Sequence, residues 1–125
     1  MLYSKTQVLN NIIFGIEYGY PHCCIKYFNV RQVNGELQKS LQTSNLKKQK
    51  LFGTGYICCP QCNLDFSEEE LIENINLNRL RTNKFPNQNE CELDPEKILL
   101  LDKDKITQLI SDTIDSVEKF ITLED

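Results

Sequence analysis

Six cysteines in 125 residues are more than packing requires, and their grouping constrains the fold more than any other feature of the chain. They fall as Cys23-Cys24, Cys58-Cys59-x-x-Cys62 and Cys91. A Cys-x-x-Cys turn with a proline after its first cysteine draws two sulfurs toward one point, which is half of a tetrahedral zinc site with Zn–S near about 2.3 Å. Further ligands must come from Cys23, Cys24, His22, Cys91 or Cys58, the remaining cysteine and histidine residues. Neighbouring cysteines do not bridge each other, because their Cα atoms are about 3.8 Å apart and an unstrained disulfide prefers at least about 4.4 Å. One member of each adjacent pair is therefore a candidate buried, inert thiol. The expected zinc ligands are Cys23, Cys24, Cys59 and Cys62, with His22, Cys91 and Cys58 as possible substitutes.

Such a cross-link answers a need. One domain, residues 1–125, is the expectation at this length, and its core is thin: mean hydropathy is −0.42 and the chain has neither Ala nor Trp. Net charge is −4, but it is unevenly spread. Residues 1–66 hold seven Lys/Arg against three Asp/Glu, and residues 67–125 hold seven against fifteen. The chain thus reads as a cysteine-box, zinc-binding half followed by an acidic helical half. The mild basic excess of the first half would be largely cancelled by bound thiolates and does not itself establish nucleic-acid binding.

Ser4 can cap a first helix over 5–18, in which Val8, Leu9, Ile12, Ile13 and Ile16 recur at helical spacing and which Gly19 stops. Pro21 suits the first turn of a second helix, reaching the Asn34-Gly35 turn. Cys23 and Cys24 lie in that first turn, where the helix dipole favours thiolate over thiol. Consecutive helical residues point about 100° apart, so both can meet one ion only at a distorted helix end. Residues 36–50 read as a weak helix and linker. Tyr56-Ile57-Cys58 reads as a short strand, with Leu64-Asp65-Phe66 as its return in a small hairpin.

Ser67 with Glu70 forms a capping box for a helix expected to end near Arg81; Thr82 to Glu92 is a loop carrying Cys91. Asp94-Pro95 opens a short element to Leu101. From Ile106 the stripe Ile106, Leu109, Ile110, Ile114, Val117, Ile121 makes a helix to about Thr122, whose apolar face is core or partner surface. The fold class expected is α+β and mainly helical: a zinc-knuckle hairpin packed against four to five helices.

The two cysteine boxes carry a resemblance. Gly19-Tyr20-Pro21-His22-Cys23-Cys24 followed by Gly53-Thr54-Gly55-Tyr56-x-x-Cys59-Pro60-x-Cys62 resembles a family of small microbial and viral proteins, with no assigned activity, that pair a GYPxCC box with a GTGYxxCPxC box. The second box is also locally similar to a zinc-ribbon knuckle. The family resemblance implies that Cys23, Cys24, Cys59 and Cys62 belong together, while His22, Cys58 and Cys91 sit at positions free to vary. It covers about twenty residues of the first half and leaves the acidic half unaddressed.

The function expected is a small zinc-binding accessory or interaction protein with a structural zinc, a protein partner and no catalysis. A single histidine leaves Cys-His as the sole nucleophile dyad, no phosphate-cradling glycine motif appears, and the carboxylates Glu68, Glu69, Glu70 and Glu73 suit the start of a helix without any catalytic role. The alternative is a thiol-disulfide oxidoreductase using Cys59-Pro60-Gln61-Cys62, which has the form of a glutaredoxin-type site but lacks the strands and the cis-proline beside the dithiol that such a domain needs. A third reading is a weakly binding nucleic-acid module using Lys47, Lys48, Lys50 and Tyr56. The first apolar stretch, broken by Asn10 and Asn11, has no basic flank, so neither a signal peptide nor a membrane span is expected. That points to a reducing, cytoplasmic setting and away from a three-disulfide secreted framework.

Overall fold

The structure is a computed structural model, and residues 3–33, 56–87 and 91–122 are described. Its first helix, α1, spans Lys5–Tyr18 and begins at the expected cap: Ser4 Oγ accepts from Gln7 N–H at 3.1 Å while Gln7 Oε1 accepts from Ser4 N–H at 2.8 Å. Gly19 ends it in the left-handed conformation, φ 84°. No other residue type would serve there, since a Cβ on Gly19 would lie 2.3 Å from the Ile75 carbonyl oxygen and 2.7 Å from the Arg79 backbone. The chain reverses through Tyr20-Pro21 into α2, His22–Val33. These two helices pack closely where Gly15 meets Ile25, and an Asn11 Nδ2 to Gln32 Oε1 hydrogen bond of 2.7 Å ties their far ends.

After the linker, which lies outside the described residues together with the expected weak helix at 36–50 and the Lys47-Lys48-x-Lys50 cluster, residues 56–59 run extended into α3, Pro60–Asp65. Here the structure corrects the sequence reading. In place of a hairpin, the Cys-x-x-Cys turn is itself a helix start: Cys59 is the cap, Pro60 the first helical residue, and Leu64 sits exposed on the helix instead of on a return strand. The same proline that suggests a tight knuckle turn is pre-set in φ for a helix's first turn.

Helix α4, Glu68–Asn78, opens with the expected capping box at Ser67 and Glu70. It ends three residues earlier than expected, because residues 79–81 turn to meet the rest of the chain: Leu80 N–H donates to Glu17 O at 2.9 Å, and Arg81 forms an isolated antiparallel bridge with Leu93. The loop that follows contains a cis Phe85–Pro86 bond and is clamped to α4 by Asn76, whose side chain donates to Phe85 O and accepts from Phe85 N–H. A single turn, α5, Pro95–Ile98, is capped by Asp94. The last helix, α6, spans Lys103–Val117. It begins three residues before Ile106 because Asp102 caps it, and stops before Thr122 because a 3₁₀ turn at Glu118–Phe120 leads into a strand, β2, Ile121–Thr122. That strand pairs in parallel with β1, Tyr3–Ser4, in the register Tyr3 with Ile121.

The fold is thus mainly helical, with two-residue strands as its sheet among the described residues. Two buried clusters hold it together. One joins Val8, Ile12, Ile25, Leu109, Val117 and Ile121 between α1, α2 and α6, so the expected C-terminal stripe does bury its apolar face in the core. The other gathers the cysteines with Tyr56, Leu71, Ile75 and Phe85. No helix among the described residues is long and apolar enough to cross a membrane.

Candidate metal centre

The start of α2 places the first two sulfurs. Pro21 O accepts from the N–H groups of both Cys24 and Ile25 at 3.0 Å, which fixes the helix origin immediately before His22. Cys23 and Cys24 then leave the first turn in different directions, and the second box reaches around the helix end to meet both. The sulfurs of Cys23, Cys24, Cys59 and Cys62 all lie within 4.8 Å of one another. Cys23 Sγ is 3.3 Å from Cys62 Sγ and 3.6 Å from Cys59 Sγ. Sulfurs around one tetrahedral ion at about 2.3 Å would stand about 3.8 Å apart, so the four fit a tetrathiolate site.

Backbone amides point into this cluster. Cys62 N–H donates to Cys59 Sγ and Cys59 N–H donates to Cys24 Sγ, each at 3.4 Å. Such donors stabilise sulfur as thiolate, the form a metal requires. Tyr56 adds a side-chain contact, its hydroxyl 3.1 Å from Cys24 Sγ. The tyrosine is 1% exposed, with its ring 4.8 Å from Tyr20 and edge-on to Phe85. Burial, followed by the charge of Cys24, pushes its hydroxyl well above the usual phenol range, so it remains a donor.

Hydrogen bonds among the four sulfurs divide their protons unequally. Those from Cys23 and Cys24 lead in pulling Cys59 down to about 2, against the opposing effect of burial. Cys62 also falls, chiefly through Cys24. Cys23 is pulled down by its contact with Cys24, but hydrogen bonds to Cys59 and Cys62 together with burial leave it raised to about 12. Cys24 is raised, first by Cys23. Without a metal the second box is the anionic side of the cluster, and the first box holds the protons.

The three substitutes lie apart from the group. Cys58 is buried and turns its thiol to Cys59 O at 3.4 Å, which makes it the inert member of its pair. In the first pair both sulfurs join the cluster. Cys91, half-buried, donates to Asn83 Oδ1 at 2.8 Å on the far loop. His22 is exposed at the start of α2, with its pKa below the ordinary value through partial burial and then the charge of Lys105. All six cysteines are free, so no disulfide competes for these sulfurs.

Two residues near the centre carried weak or no signal in sequence. Tyr56 stands out only as an aromatic before the Cys-x-x-Cys turn, and its burial excludes it from stacking on a base. Arg79 gave none. It is 1% exposed and donates to carbonyl and amide oxygens: Tyr18 O at 3.2 Å, Asn83 O at 3.0 Å, Asn83 Oδ1 at 2.8 Å and Asn87 O at 3.4 Å. Its guanidinium lies 5.3 Å from the Tyr18 ring and 5.9 Å from the Phe85 ring, which anchors the Phe85 loop beside the cysteine cluster. No family model, curated protein or solved structure matches this chain.

Proposed function

We propose that the protein is a small zinc-binding accessory or interaction protein in which the metal is structural and Cys23, Cys24, Cys59 and Cys62 are its ligands. The observation that carries this reading is the convergence of four thiols from two distant boxes onto one point, with backbone N–H groups already aimed at two of them. Four soft sulfurs in tetrahedral reach suit zinc or iron, and a site closed by four protein ligands leaves no open position for substrate. When bound, the ion supplies a cross-link between α2 and the start of α3; the chain's own residues hold the thiolates and exclude water from three of them.

Burial weighs against the oxidoreductase alternative, since Cys59 and Cys62 are each 5% exposed and a redox dithiol needs an accessible attacking sulfur. Protein is favoured over nucleic acid as the partner because Tyr56 is inside and the net charge is −4. Elemental analysis of protein purified under reducing conditions without added metal tests the proposal. One zinc per chain is expected. Reduced, folded protein without metal overturns it, and one iron per chain overturns the choice of ion.

A further inference from the structure

The four sulfurs are not equally shielded. Cys24 is 2% exposed and Cys59 and Cys62 are each 5% exposed, whereas Cys23 is exposed. It borders two surface grooves. One, of about 600 Å³, runs between Lys26, Tyr27 and Arg31 on α2 and Pro60 and Gln61 on α3; the other, of about 300 Å³, is shared with His22, Lys26 and Lys105. The centre therefore has one edge open to solvent, and the side chains around that edge include three cations. Cations beside a sulfur favour thiolate and stabilise an anionic leaving group. Behind Cys23, the nearest sulfur is that of Cys62, at 3.3 Å. Cys59 Sγ stands slightly further, at 3.6 Å, and serves as the helix cap that accepts from Cys62 N–H.

From this asymmetry we propose that Cys23 is a modification site, the point at which a hydroperoxide oxidises the centre, with Cys62 as its resolving thiol. The inference rests on the tetrathiolate reading above. The Cys23 thiolate attacks one peroxide oxygen, the O–O bond breaks, and the departing hydroxide or alkoxide takes a proton from solvent. Cys23 is then a sulfenic acid. The Cys62 thiolate attacks the Cys23 sulfur, the S–O bond breaks, and the second hydroxide leaves as water after protonation. Two thiolates have lost two electrons to one peroxide, and a Cys23–Cys62 disulfide has formed. Two of the four ligands are thereby withdrawn, which releases the metal.

The test uses the intact, metal-loaded protein and hydrogen peroxide as probe. Metal content is measured first, so a chain that holds no metal fails the earlier reading before any oxidant is added. Peroxide is then titrated while a chromophoric chelator reports released metal and peptide mass mapping locates the disulfide. One metal released per Cys23–Cys62 disulfide is expected. A Cys59–Cys62 or Cys23–Cys59 disulfide, or retention of metal and thiols under excess peroxide, overturns the proposal. A limiting dose of N-ethylmaleimide on unoxidised protein provides an independent measurement that needs no variant. Within the centre, Cys23 should be labelled at least about tenfold faster than Cys24, Cys59 or Cys62, and equal labelling of the four overturns the open-edge geometry. Cys91→Ser should leave metal release unchanged, and loss of release in that variant would place the entry point elsewhere.

Discussion

Replacing Tyr56 by Phe removes one oxygen atom from the centre and leaves the ring contacts with Tyr20 and Phe85 in place. With metal bound, Cys24 is a thiolate, so the tyrosine hydroxyl is the donor across the 3.1 Å contact. A hydrogen bond to a charged group contributes about 1.5–3 kcal/mol, and a neutral one about 1 kcal/mol. Without metal Cys24 keeps its proton, and the same contact is then of the neutral kind. The difference, about 0.5–2 kcal/mol, is what Tyr56→Phe subtracts from metal affinity, a factor of about 3 to 30 at about 1.4 kcal/mol per tenfold. The Cys59 N–H that remains on Cys24 Sγ should hold the loss near the middle of that range, at about tenfold. Competition against a chromophoric chelator at neutral pH gives the affinity, and the sulfur-to-metal charge-transfer band of the cobalt-substituted protein reports the change at Cys24 directly. An affinity within about twofold of wild type, with an unshifted band, would refute the assignment of Tyr56 as a donor to the centre.

Other consequences can be checked on the same material. Cys62→Ser should lose stoichiometric metal while Cys58→Ser keeps it, because Cys58 turns its thiol to a backbone carbonyl; elemental analysis of both variants decides. Metal uptake must displace the protons held by the raised thiols of Cys23 and Cys24, so affinity should fall as pH falls, and calorimetry in buffers of different ionisation enthalpy should show about two protons released per metal. Gly19→Ala should lower stability by at least about 2 kcal/mol, read by thermal melting, because its Cβ would meet backbone atoms that cannot move aside. Arg79→Met should cost about 3 kcal/mol in denaturant unfolding by leaving buried carbonyl oxygens without their donor.

Local chemistry was legible where a few adjacent residues decide the outcome. Ser4 with Gln7 and Ser67 with Glu70 are reciprocal caps closed within one turn, so each helix start follows from four residues. The four clustered sulfurs could be picked out because metal geometry admits few partners to a Cys-x-x-Cys turn. What sequence left open depends on distant contacts. Periodicity carried α4 through Leu80, which is indeed buried, but its N–H is taken by Glu17 O and the helix ends at Asn78. Likewise Ile121 continues the apolar stripe of α6, yet it pairs with Tyr3 at the opposite end of the chain. The knuckle was misread as a hairpin because apolar residues flank the turn on both sides, and only the Cys59 cap distinguishes a helix start from a strand return.

Helix α2 makes the centre matter beyond its own surroundings. Its first turn supplies Cys23 and Cys24 to one buried cluster, and one residue later Ile25 enters the other, against Gly15 and beside the α6 stripe. The position of a single helix end therefore sets both. The ligands it carries are 36 residues from their partner in the second box, counting Cys23 to Cys59. Closing a loop of that length by a cross-link removes about 4 kcal/mol of unfolded-chain entropy, a gain available only while the metal is held. A typical domain is stable by only about 5–15 kcal/mol, and this chain builds its core without Ala or Trp. Losing the cross-link should then free the cysteine cluster and loosen α2 against α1 and α6 as well. Amide exchange followed through chelation would separate the two cases: faster exchange at Ile25 and Leu109 as well as at Cys59 and Cys62 supports one cooperative unit, and protection unchanged at Ile25 and Leu109 shows that the helical cluster stands without the metal.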